Sequence, residues 1–224
     1  MLKTSSAALI LLFSVNSYAS FSTFTDSTAF NTAIRSHTTS TLNFDSSSAG
    51  DSIADGSALS GITFNYPALD ALGISMQILD SFSTTSGANY LGTDSGGAFL
   101  GGDSFQLSFA SINAIGMFFL SGDELEDNDI SLSVTVASVT RQAFLSSAVV
   151  STLTDGSFVY FLGLLDETNT FSNVDVVSTC EGCYEFNVDD ITTATAASTV
   201  PTPSVLWLLL VGLLPLVRNL KGKA

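Results

Sequence analysis

Apolar and polar residues alternate along most of this chain. Leu42 and Phe44 share one phase of a short run, as do Ile62, Phe64 and Tyr66, then Leu72, Ile74, Met76 and Ile78. The same period of two returns in Phe105, Leu107 and Phe109, in Ile130, Leu132, Val134 and Val136, and in Tyr184, Phe186 and Val188. Side chains that face one side at every second residue mark strands with one buried face. Ile112 to Leu120 and Ser157 to Leu165 are more continuously apolar, as central strands of a two-layer core are. Helical spacing is confined to Asp26–Ile34, where Asp26 or Ser27 can cap a short turn that buries Phe30, Ala33 and Ile34.

Composition agrees with that pattern. Ser, Thr, Gly and Phe dominate, while Glu, Lys and Gln are scarce. The chain is therefore expected to be all-β, a single antiparallel β-sandwich of jelly-roll type built from about ten strands. A membrane barrel would need aromatic girdles at regular spacing, and no such spacing is seen. There is no internal repeat of fixed period.

The two ends depart from the alternation. Met1-Leu-Lys3, the apolar stretch Ala7–Val15 and the small residues of Ser17-Tyr-Ala19 read as a secretory signal peptide over residues 1–19. The sandwich is then expected over 20–191. A Thr/Ala/Ser-rich segment over 192–200 has no apolar period and reads as a flexible linker. Residues 201–224 hold a proline pair, an apolar run from Val205 to Val217 and a basic cluster of Arg218, Lys221 and Lys223. Such an order suits an apolar helix that enters the membrane while the cations stay on the cytoplasmic side.

Taken together, Val200-Pro201-Thr202-Pro203, the apolar run and the basic end resemble the PEP-CTERM sorting domain of Gram-negative bacteria, with Thr202 where the family signature has Glu. The resemblance implies export, a transient inner-membrane stage, and processing by a sorting protease or transpeptidase of exosortase type. It also implies a final place at the cell surface or in an exopolysaccharide or biofilm matrix. A plain C-terminal anchor is the other reading of the same residues. The region from Phe24 to Ile191 also resembles ectodomains common in PEP-CTERM proteins. Its carriers are Thr23-Phe24-Thr25, Leu42-Asn-Phe-Asp45, Gly61-Ile-Thr-Phe64, the Gly-rich stretch Gly92–Gly102 and Phe186-Asn-Val-Asp-Asp-Ile191. This second resemblance implies a lectin-like sandwich.

Charge narrows the function. All 21 acidic residues fall between Asp26 and Asp190, against only Arg35 and Arg141 in that span, so the domain carries a net charge of −19. Nucleic acid is excluded as a partner, since its binding needs a basic footprint. An acidic surface suits divalent cations, solubility, or life among acidic polysaccharides bridged by calcium.

Candidate chemistry is sparse. His37 is the lone histidine and no G-x-S-x-G elbow exists, which argues against a Ser-His-Asp triad or a His-based zinc site. Cys180 and Cys183 are the only cysteines and are expected to pair in an exported chain, pinning a hairpin between the strands around Val176 and Phe186. Strict alternation through Phe186–Ile191 puts Asp190 on the core face and Asp189 with Asn187 on the other, near a strand end. A carboxylate there needs hydrogen bonds or a cation. Calcium held by Asp189 or Asp190 with main-chain oxygens and water is one reading; capping of backbone amides is the other. The expectation is a non-catalytic surface protein, with a calcium-assisted carbohydrate-binding module or adhesin next and a polysaccharide hydrolase third. The domain's lack of tryptophan weighs against a sugar-processing cleft, since Trp207 lies in the tail.

Overall fold

The computed structural model describes residues 21–136 and 138–197. The expected signal peptide, the Val200–Pro203 motif, the apolar run and the Arg218, Lys221 and Lys223 cluster lie outside the described residues. Strand accounts for 49% of the chain and helix for 7%, so the fold is all-β.

The elements are β1 (Phe21–Phe24), α1 (Ser27–Ile34), β2 (Thr38–Leu42), β3 (Ser52–Ile53), β4 (Ser57–Leu59), β5 (Ile62–Asn65), α2 (Pro67–Ala71), β6 (Met76–Leu79) and β7 (Tyr90–Thr93). They continue with β8 (Phe99–Leu100), β9 (Phe105–Ile112), β10 (Ala114–Ser121), β11 (Ile130–Val136), β12 (Val139–Phe144), β13 (Ser151–Thr152), β14 (Phe158–Asp166), β15 (Phe171–Ser178) and β16 (Glu185–Thr195). The larger antiparallel sheet has the order β1-β14-β10-β16-β7-β6-β3, with β13 on β14 and with β2 and β8 also on β16. The smaller sheet has the order β12-β11-β15-β9-β5-β4.

The sheets form a sandwich. Ile115, Met117 and Phe119 of β10, Leu162 and Leu164 of β14, and Phe186, Val188 and Ile191 of β16 face Phe64, Leu107, Leu132, Val174 and Val176 of the smaller sheet in one buried core. The larger sheet is buried on its outer face too. There Ala114, Phe161, Leu165 and Ala194 pack under Phe30 and Ile34 of α1. Burial on both faces is why Ser157–Leu165 reads as an unbroken apolar run rather than an alternating one.

Asp26 caps α1, accepting a hydrogen bond from the Ala29 amide at 2.6 Å. The helix docks through Phe30, which is fully buried over Gly116 of β10 and Gly163 of β14. Those two glycines are directly paired across the strands. A Cβ on Gly116 would lie 2.6 Å from the Phe161 ring and 2.8 Å from the Phe30 ring, and one on Gly163 would lie 2.8 Å from Phe30.

Four features differ from the sequence expectation. Leu72 to Ile78 is not one strand: Pro67 opens the one-turn α2, Leu72 is exposed, and the strand starts only at Met76. Ile112–Leu120 is two strands in different sheets, broken at Asn113. The Cys180–Cys183 turn does not close a hairpin, because β15 and β16 belong to different sheets and the turn carries the chain between them. The last strand also outruns Ile191, so residues 192–195 are sheet, not linker. Ile191–Thr195 pair with Leu42–Thr38, and the Thr41 and Thr192 hydroxyls meet at 2.9 Å. Two hydroxyl-rich strands leave no apolar period to read, although threonine suits a strand.

Asn113 ties one end of the sandwich. Its side-chain amide donates to the Asp166 and Asn169 carbonyls at 3.2 and 3.1 Å, and its Oδ1 accepts from the Ala196 amide at 2.8 Å. Phe21 pairs with Asp166 beside it. Both ends of the described domain thus leave at one pole, while the Cys180–Cys183 turn and the acidic loop after Ser121 lie at the other.

The glycine pair gives a test of the docking. Gly163→Ala is expected to lower stability by about 1–3 kcal/mol through overpacking against Phe30. Adding Phe30→Ala to it should cost less than the two single losses summed, measured by denaturant unfolding.

Candidate functional site

The site is built on a break in β16. Its pairing with β10 shifts register between Gly116 and Phe118, and Asp190 takes a left-handed backbone with φ 49°. Such a bulge sets two consecutive residues against one on the neighbouring strand. Asp189 pairs with Phe118 and shares its outer face. Asp190 turns to the same side, while Ile191 returns to the inner core. The expectation that the two carboxylates point to opposite faces is corrected. Strict alternation fails because one extra residue enters the strand, and because β16 runs on to Thr195 the pair sits mid-strand.

Asp189 is fully buried. Its Oδ2 accepts from the Thr85 amide at 2.9 Å and the Thr85 hydroxyl at 2.6 Å, and its Oδ1 accepts from the Asp190 amide at 2.8 Å. Asp190, half-buried, accepts from the Ser86 hydroxyl at 2.6 Å, and its Oδ2 lies 2.8 Å from the Thr85 hydroxyl, whose one proton it shares with Asp189. Other carboxylates hold the same loop. Asp155 accepts from the Ser83 amide at 2.7 Å, and Asp45 accepts from the Ala88 and Asn89 amides at 2.8 and 3.1 Å. Gly87 is required where Asp45 approaches: it has φ 60°, and a Cβ there would overlap the carboxylate. Ser81–Asn89 is thus strapped over the outer face by four acids from separate parts of the chain. Phe82 of the loop meets the Tyr90 ring at 6.0 Å, and Tyr90 packs in turn with Leu120 and Val159.

Helix α1 covers one part of the outer face and this strap another. Against α1, with no lining from the strap, lies a cavity of about 430 Å³. Phe118 of β10 lines it, with Thr39 and Thr41 of β2 and Thr192 of β16. Asn31 and Ile34 of α1 and Arg35 at its C-cap form a wall, and Asp190 and His37 complete the lining. His37 is half-buried, not simply solvated, and its Nδ1 is shielded from water without a hydrogen-bond partner. The pocket therefore gathers the domain's lone histidine, one of its two arginines and a strained aspartate. The sequence singled out Asp190 and His37 separately; a bulge and a helix-to-strand turn bring them together.

No family model matches the chain, and no curated protein matches it. Among solved structures it is similar to the K2 cleaved adhesin domain of Lys-gingipain, with a TM-score of 0.46 and 14% identity over 69% of this chain and 97% of that one. A likeness of that degree carries no functional argument.

The remaining sequence candidates lie elsewhere. Cys180 and Cys183 are disulfide-bonded at the far pole, where Gly182 donates to the Gly101 carbonyl. That turn and the Gly-rich stretch border a second cavity of about 550 Å³, lined in part by Leu72, Leu100, Asp103 and Glu181. Asp94 and Asp103 accept from the Ser75 and Leu100 amides, and Asp127 and Asp129 from the Ser147 and Glu126 amides. Among the described residues no group of three or more His, Cys, Asp or Glu could hold a metal ion. Beside the two carboxylates the loop supplies only the Thr85 and Ser86 hydroxyl oxygens and amides, short of the six to eight oxygen ligands that calcium takes. Adding millimolar calcium to chelated protein is therefore expected to leave Tm unchanged, and a rise would identify a bound ion.

Burial pushes the Asp189 carboxyl up to about 6, with the Asp190 charge adding to it and the Thr85 hydrogen bonds pulling the other way. The folded state then holds the proton more tightly than the unfolded chain, whose aspartates titrate near 4. The resulting stability is full below pH ~4, falls as pH rises towards about 6, and is level above. Asp189→Asn keeps an acceptor for the Thr85 amide and removes the titration. Its melting temperature should gain on the parent's between pH 4.5 and 7, and parallel profiles would contradict the assignment.

Proposed function

We propose that this chain is an exported, non-catalytic protein held at the cell surface or in the exopolysaccharide matrix, with a jelly-roll-type ectodomain and a PEP-CTERM-like sorting tail. The observation that carries the reading is the common exit of the two ends of the described domain. Phe21 pairs with Asp166, and the Ala196 amide bonds to Asn113, whose carbonyl in turn accepts from the Asp166 amide at 2.9 Å. A leader cut after Ala19 and a tail starting near Val200 would both lie next to this pole. The sandwich would then stand clear of the membrane without either end crossing its faces.

The disposition of the acids supports a non-catalytic role. Asp26, Asp45, Asp51, Asp103, Asp129 and Asp155 accept hydrogen bonds from backbone amides of nearby loops. Carboxylates used in this way stabilise turns and are poorly placed to shuttle protons. Among the described residues no helix is long and apolar enough to cross a membrane, and the apolar run from Val205 to Val217 lies outside them.

The reading predicts two cuts. Intact mass of the exported protein should begin at Ser20 and end near Pro201–Pro203. Loss of the sorting enzyme should leave a membrane-bound form that retains Lys223. A main mature species that keeps Lys223 in a host with the enzyme would leave a simple anchor.

A further inference from the structure

We propose that the pocket between α1 and the Asp190 bulge binds one neutral sugar unit of a surface or matrix glycan, deepening the surface-protein reading. At about 430 Å³ the cavity falls in the range of small-ligand sites. Its lining suits a polyol ring better than an apolar or charged ligand. Phe118 offers apolar surface on which the C–H groups of a pyranose can rest. Around it stand the Asn31 amide and the Thr39 hydroxyl, with the Thr41 and Thr192 hydroxyls, which bond to each other and keep one proton and further lone pairs between them. An apolar ligand would strip water from these groups and return no hydrogen bonds.

Asp190 is the orienting group. Its two oxygens offer about four acceptor positions, and the Ser86 hydroxyl and the shared Thr85 hydroxyl take at most two of them. The others remain for ligand hydroxyls, and a hydrogen bond to an ionised carboxylate is among the stronger kinds. Its backbone lies in a region that non-glycine residues avoid, although aspartate tolerates it better than most. The strain sets this carboxylate on the outer face, in the pocket, where regular alternation would have turned it into the core. Arg35 also lines the pocket, so its formal charge offsets that of Asp190 in the lining. The domain's charge of −19 nonetheless disfavours an anionic ligand at long range. A neutral sugar meets both conditions.

The test uses the full-length protein in detergent and saturation-transfer NMR with glucose, galactose, mannose and their oligosaccharides, with glucuronate as the acidic comparator. Binding of at least one neutral sugar is expected. Asn31→Ala and Asp190→Asn should each weaken it about tenfold, the equivalent of ~1.4 kcal/mol. Gln142→Ala, on the exposed face of the other sheet, should leave it unchanged. If Asp190→Asn lowers Tm, the exposed Asn31 position decides alone. The inference is overturned if no neutral sugar binds, if binding survives Asn31→Ala undiminished, or if glucuronate is preferred and its binding is lost in Arg35→Ala. None of these outcomes alters the intact-mass result, so failure of the pocket and failure of the sorting reading remain distinct.

Discussion

A carboxylate with no access to water stands at the centre of the larger sheet. Asp189 lies on β16, and much of the architecture around it follows from the need to satisfy its oxygens. An ionised group in such a place is tolerated only when donors surround it. The nearest donors are the amide and hydroxyl of Thr85, more than a hundred residues away in sequence. The Ser81–Asn89 loop must therefore cross the outer face of the sheet, and the acids at 45, 155 and 190 fasten it there. The loop contains no acid or base of its own, only Ser, Thr, Gly, Asn, Ala and Phe, so nothing in it repels the carboxylates that hold it.

That strap has a counterpart in α1. The helix reaches the same face through an apolar contact, Phe30 in the hollow left by Gly116 and Gly163. One cover is fixed by charge-assisted hydrogen bonds, whose strength depends on protonation. The other is fixed by shape and is indifferent to pH. A sheet covered by two unrelated devices is left with a gap against the helix that the strap does not line, and Phe118, which packs partly against both covered clusters, marks it. The pocket is a consequence of how the outer face is closed.

Much of the sandwich was legible in the sequence, because the smaller sheet has one buried face and its strands alternate cleanly. The capped turn at Asp26 was legible for a local reason: capping signals act over a few residues. What alternation could not disclose was any place where the period breaks. The bulge at Asp190 adds one residue and reverses the apparent facing of an aspartate; its one trace in the sequence is the step of three between the core residues Val188 and Ile191, where alternation steps by two. The sheet switch at Asn113 hides inside an apolar run. The hydroxyl-rich pairing of β2 with the end of β16 resembles linker composition, because threonine serves both. The pocket was invisible for a different reason. Its residues come from α1, β2, β10 and β16, and only the tertiary fold brings His37, Arg35 and Asp190 to one place.

On the proposed surface reading, the geometry sets how the domain would be presented. A chain attached through Ala196 hangs from the Asn113 pole, and β16 then runs away from the attachment point for eleven residues, roughly 35 Å at the usual strand rise. The disulfide turn and the acidic loop would occupy the far tip, furthest from the membrane. The Asp190 bulge is halfway along, so its pocket opens sideways on the flank of the sandwich. A tip site would favour a partner arriving head-on from solution. A flank site is reached by a chain that lies alongside the protein, which is the geometry of a polymer layered on the same surface. The pocket's lining comes from α1, β2, β10 and β16, a docked helix and three paired strands of the same sheet.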